Sequence, residues 1–154
     1  MNRALLRGGL ALLAVSQLST GLWAYVAPRN WYDSFPGAGH AWVAAFGPFN
    51  EHLTRDAAGG FFATGVLLAW AALAPATPLV RAALVGGLAF FVPHLFFHLG
   101  HTDPLPAGDN AASLIGLALA PLLALALLLS TWRPEPTSRT SRPPVEPAAA
   151  QGRH

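Results

Sequence analysis

Four apolar stretches, each with at most one charged residue, dominate this chain: about Ala4 to Val26, Asp56 to Leu73, Leu79 to Leu99 and Ala111 to Trp132. A hydrocarbon layer roughly 30 Å thick is crossed by about 20 residues of helix, and each stretch is near that length. Lipid leaves no water to satisfy an unpaired backbone amide, so such segments fold as helices. The expectation is an all-α membrane protein, a four transmembrane helix bundle over residues 1–132. Composition agrees: 10% of the 154 residues are charged, against about 25% in a soluble domain, and the missing charge marks surface that faces lipid. There is no cysteine, which excludes a disulfide framework and a thiolate metal site.

The connections have their own signals. Pro75 and Pro78 mark a short turn between the second and third segments, and "TDPLPAGDN" separates the third from the fourth, with Asp109 or Asn110 expected as helix cap. Asn50 is the expected cap of the second helix. Trp23 and Tyr25 stand where a signal-peptide cleavage site would need small residues, so the first segment is expected to be retained. Residues 133–154, rich in Pro, Ser and Arg without apolar periodicity, are expected to be a disordered cytoplasmic tail.

Arginine placement sets the expected orientation. Arg3, Arg7, Arg81, Arg133, Arg139, Arg142 and Arg153 fall on one side with Glu135 and Glu146, a net of +5. The other side holds five acids (Asp33, Glu51, Asp56, Asp103 and Asp109) against Arg29 and Arg55, a net of −3. The positive-inside rule then puts both termini and the Pro75 turn in the cytoplasm. Trp23, Tyr25, Trp31, Tyr32 and Trp42 near the outer side, and Trp132 near the inner, fit interfacial aromatic belts. The basic residues act as topology determinants without aromatic interleaving, and no nucleic-acid partner is indicated.

The chemistry concentrates at the outer side. Five of the six histidines, His40, His52, His94, His98 and His101, map there. At about 100° per residue, His94, His98 and His101 share one helix face. Pro93, just before them, frees the Ala89 carbonyl and kinks the helix, and Pro121 does the same to Leu117 on the fourth. On the second helix His52 and Asp56 lie one turn apart, as do Glu51 and Arg55. Gly59 and Gly60, like Gly116, Ala120 and Ala124, would permit close helix approach and bring His52 and Asp56 near His94 and His98.

One reading is a metal site: His94 and His98 as a chelating pair, His52 or His101 as third ligand, Asp56 or Glu51 as fourth ligand or outer partner. Such donors suit zinc or iron, and haem held by histidines of two helices belongs to the same class. A second reading is a pocket for a small lipid or quinone-like ligand, and a third is proton handling. Against these stands a polar packing network in a non-catalytic structural or accessory subunit, working with other membrane subunits or as a homo-oligomer. The loop "APRNWYDSFPGAGHAWVAAFGPFNEH" is too long for a turn and too aromatic for a linker. It is expected to fold back as a lid over the second and third helices, with residues His40 to Phe46 as a short interfacial helix.

The succession "WYDSFPGAG", "GPFNEHLTRD" and "VPHLFFHLGH" resembles a group of small uncharacterised actinobacterial four-helix membrane proteins and, more distantly, the DoxX-like four-helix superfamily. The resemblance covers roughly residues 20–130. It implies the fold and a bacterial inner-membrane location, and its distant arm implies an association with redox systems. It brings no catalytic activity or residue role with it.

Overall fold

The computed structural model describes residues 2–132, so the tail expected at 133–154 lies outside the described residues. Five α-helices and one 3-10 turn follow in order: α1 (Arg3–Val26), α2 (Pro28–Ser34), the 3-10 turn Val43–Phe46, α3 (Glu51–Leu73), α4 (Thr77–Leu99) and α5 (Ala107–Ser130). Among the described residues there is no strand. The helices α1, α3, α4 and α5 are long and apolar enough to cross a membrane, which makes this a multi-pass architecture.

Each boundary has a local cause. The Asn2 side chain accepts from the Ala4 N–H at 2.9 Å and opens α1. Pro28 ends it, because a proline has no N–H to give and its ring collides with the preceding turn. The same residue is pre-shaped for the first position of a helix, so the chain breaks and restarts at once as α2. Asn50 caps α3 as expected, accepting from the Leu53 N–H at 3.0 Å. With the cap there, the polar turn from Glu51 is already helical, and α3 starts five residues before its apolar stretch. The cap expected for the fourth helix is corrected. Pro106 holds that position with no side-chain cap, and Asp109 and Asn110 lie inside the first turn of α5.

The long helices form a square in the order α1, α3, α4, α5, with α1 and α5 touching least of the neighbouring pairs. Packing divides by depth. At the end holding the 74–76 turn, Leu10, Leu68, Leu84 and Val80 are fully buried, with Ala71, Ala83 and Ala124 among them. Large side chains such as Leu12, Trp70, Leu73 and Leu119 point outward, as helices surrounded by lipid require. At the opposite end, Trp31 of the lid formed by residues 27–50 packs with Ala24 and Ala58 in a second, smaller cluster.

The closest helix approach is not where the sequence pointed. A Cβ on Gly65 would stand 2.7 Å from Leu18 Cγ and 3.0 Å from the Leu18 backbone nitrogen, and one on Gly21 would meet the Phe61 and Phe62 region at 3.0 to 3.1 Å. These glycines seat α1 on α3. Gly60 is tight only against the Phe90 ring, at 3.3 Å, while Gly59 and Gly116 face open space.

Candidate functional site

Between the two clusters the four helices do not close on one another. A cavity of about 560 Å³ occupies the lid half of the bundle, a size typical of small-molecule sites. Phe35, Phe46, Phe61, Phe90, Phe91 and Phe97 form much of its wall. The lid supplies Trp31, Phe35, Trp42, Val43 and Phe46 as its roof. Among the described residues no Asp, Glu, Lys or Arg lines it.

The lid is fastened by polar contacts at its edges. Trp23 Nε1 donates to Asn30 Oδ1 at 2.7 Å, and the Tyr32 hydroxyl donates to the Gly47 carbonyl. His40 Nδ1 sits 3.0 Å from Asp109 Oδ1, which ties the lid to the first turn of α5. Phe46 packs edge-on against His98, ring centroids 4.7 Å apart, and against Phe97 at 6.1 Å. The expected lid is therefore present, and its short helical turn is limited to Val43–Phe46, starting three residues later than the expected His40. The α2 helix was not anticipated, although Pro28 followed by the i, i+4 pair Arg29 and Asp33 was a readable signal. That pair closes at 2.7 Å, and the hydrogen-bonded Asp33 carboxylate holds the Arg29 guanidinium above its ordinary pKa.

The six proposed ligand residues separate into three places. His94 and His98 come together as one turn of α4 predicts, ring centroids 5.1 Å apart, and both line the cavity. His94 rests against Phe61 and Phe90 at 6.3 and 5.9 Å. His101 lies beyond the end of α4, which stops at Leu99. Its Nδ1 is 2.7 Å from the Phe97 carbonyl and its ring stacks on Phe97 at 4.2 Å, so it finishes the helix end and is absent from the cavity lining. His52 and Asp56 approach each other at 3.4 Å with side chains 88% and 62% exposed. Glu51 holds Arg55 at 2.9 Å, and Arg55 donates in turn to the Tyr25 carbonyl.

The expected meeting of His52 and Asp56 with His94 and His98 does not form. Phe61 fills the contact between α3 and α4 at the height of His94, while His52 and Asp56 lie further up α3 on its exposed side. Among the described residues no group of three or more His, Asp or Glu side chains is arranged to hold a metal ion.

Three residues of the cavity were not expected there: Gln17, and the tryptophans Trp31 and Trp42 assigned to the interfacial belt. Gln17 Oε1, Trp31 Nε1 and Trp42 Nε1 are buried and have no hydrogen-bond partner among the described residues, and all three residues line the cavity. Gln17 is 6% and Trp31 7% exposed. Leaving such a group unpaired costs about 1–3 kcal/mol. The signal for Gln17 was available, since an amide in the middle of the first apolar stretch is costly in lipid unless it faces the bundle interior.

No family model, curated protein or solved structure matches the chain.

Proposed function

We propose that this multi-pass membrane protein binds a small, mostly apolar molecule inside its bundle, at the extracytoplasmic side of a bacterial inner membrane. The observation that carries the reading is a phenylalanine-walled cavity whose lining also holds the polar side chains of Ser16, Thr20, His94, His98 and Ser113. An apolar chamber with a few fixed polar groups is the usual form of a ligand site. Its neighbours α1 and α5 touch least, and Ser16 and Gly116 on those helices are exposed where they line the cavity. A ligand dissolved in the bilayer would enter between them. The metal reading rests on the His94 and His98 pair alone.

Gly116 gives the test. A Cβ there meets no atom within 4 Å, and Gly116 is part of the cavity lining. Gly116→Phe is expected to keep the melting temperature and to exclude the ligand. A small organic molecule extracted in near-stoichiometric amount from purified wild-type protein, and depleted from Gly116→Phe, supports the reading. Identical extracts from the two proteins overturn it. Elemental analysis beside a His94→Ala/His98→Ala variant decides the metal reading: stoichiometric zinc or iron lost in the variant would establish a metal at this pair.

A further inference from the structure

The polar side chains that meet the open space of the cavity narrow the class of ligand. Gln17 Oε1 and the Trp31 and Trp42 indole nitrogens are sealed within the packing and take no part. Thr20 on α1, His94 and His98 on α4 and Ser113 on α5 line the cavity, make no side-chain hydrogen bond among the described residues, and are not among the sealed groups. Their hydroxyls and ring nitrogens are therefore open to an occupant, with Ser16 exposed beside them on α1. A Ser or Thr hydroxyl donates or accepts as its partner requires, so these groups exclude no class of ligand. The imidazoles discriminate. In its neutral form each ring has one donor and one acceptor nitrogen. The two rings stand one turn apart with centroids at 5.1 Å, flanked by Phe61 and Phe90 beside His94 and by Phe46 and Phe97 beside His98. Phenyl rings offer the acceptor nitrogens no proper donor, so a donor comes with the ligand. Among the described residues no acidic or basic side chain lines the cavity. An ammonium group therefore finds no counter-charge, and a carboxylate finds one only if an imidazole is protonated for it, which takes two ions out of water.

We infer that the cavity takes an uncharged apolar molecule bearing a hydroxyl, and that the His94 and His98 pair reads this hydroxyl by accepting its O–H. The inference rests on the cavity being a ligand site and adds the group it recognises. A hydroxyl donates to an imidazole nitrogen and still accepts from a ring N–H or from a neighbouring Ser or Thr. An ether or carbonyl oxygen only accepts, and leaves both imidazole acceptors unmet.

The full chain in lipid nanodiscs, with partition into empty discs subtracted, is titrated calorimetrically at neutral pH with four probes of similar size: 2-naphthol, 2-methoxynaphthalene, 2-naphthoate and 2-naphthylmethylammonium. The naphthol is expected to bind about five- to tenfold more tightly than the methoxy compound, which keeps the oxygen and loses the O–H, the effect of one neutral hydrogen bond. Both ions should bind more weakly than the naphthol. His94→Phe with His98→Phe keeps a flat ring at each position and removes the ring nitrogens, and should bring the naphthol and methoxy affinities within about twofold of each other.

Equal or tighter binding of the methoxy compound to the wild-type protein, or tightest binding of either ion, overturns the ligand class and leaves the cavity a ligand site. A naphthol advantage that survives in the histidine variant overturns the role of the pair. Failure of every probe to bind, or naphthol binding unchanged in Gly116→Phe, removes the ligand-site reading and this inference with it. The wild-type series decides the ligand class even if the histidine variant fails to fold.

Discussion

At the scale of single residues, glycine shows most clearly how position overrides identity. Gly59 and Gly65 sit on the same helix, yet a methyl group on Gly65 collides with Leu18 and one on Gly59 touches nothing. Helix association in lipid depends on such close packing because burial from water contributes little there. Gly65→Ala should therefore destabilise the protein by about 1–3 kcal/mol, the usual range for overpacking. Gly59→Ala should be neutral or slightly stabilising, since alanine is the better helix former. Unfolding in mixed micelles by titration with a denaturing detergent would read the difference, and equal behaviour of the two variants would contradict the packing of α1 on α3. The sequence directed attention to Gly59 and Gly60 because they are adjacent and near the polar cluster. Nothing local distinguishes Gly65, whose importance comes entirely from Leu18 on another helix.

At the scale of elements, two polar ties hold the ends of the bundle. Arg81 on α4 donates from Nε to the Thr131 hydroxyl at 3.0 Å and from Nη2 to the Thr131 carbonyl at 2.9 Å, and lies 4.8 Å over the Trp132 ring. A lysine has neither the planar fork nor the stacking face. Arg81→Lys should lose most of what Arg81→Ala loses, about 1–2 kcal/mol, with faster amide exchange in the last turn of α5. At the other end, His40 and Asp109 join the lid to α5. The pair is partly exposed, so Asp109→Ala should change global stability by no more than about 1 kcal/mol. Its expected mark is local: exchange of the amides of residues 40–46 accelerates while those of α3 keep their protection. Protection unchanged in both would mean that the aromatic contacts of Phe46 hold the lid unaided. The Glu51 and Arg55 pair and the Asn50 cap were legible because both are set by spacing within one helix. The His40 and Asp109 tie was not, because it joins a lid residue to the first turn of α5, and only the fold brings these together.

At the scale of the whole molecule, the charge distribution and the cavity point the same way. Arg3, Arg7 and Arg81 gather at the end of the bundle with the 74–76 turn, and the lid gathers at the other with Asp33, Glu51, Asp56, Asp103 and Asp109. The positive-inside rule predicts that the lid faces out of the cell. A cysteine in place of Asp103 should react with an impermeant thiol reagent added to intact cells, and one in place of Ala76 only after the membrane is opened. Both positions are exposed at opposite ends of the long helices, so reversed labelling would place the cavity on the cytoplasmic side.

By itself the sequence determined the class of this protein: four apolar helices, their approximate extents, the lid between the first two, and the adjacency of His94 and His98. These are matters of composition and of periodicity within one element, and backbone satisfaction in lipid leaves no other solution. Tertiary structure alone decided which polar side chains share a site. His101 turns back on its own helix end, His52 and Asp56 stay exposed, and Gln17, Trp31 and Trp42 converge on the cavity instead. That outcome depends on how far each helix is rotated toward its neighbours and on the lid folding over them. Those quantities come from the fit of side chains across elements, such as Leu18 into the space above Gly65, and no single segment contains them.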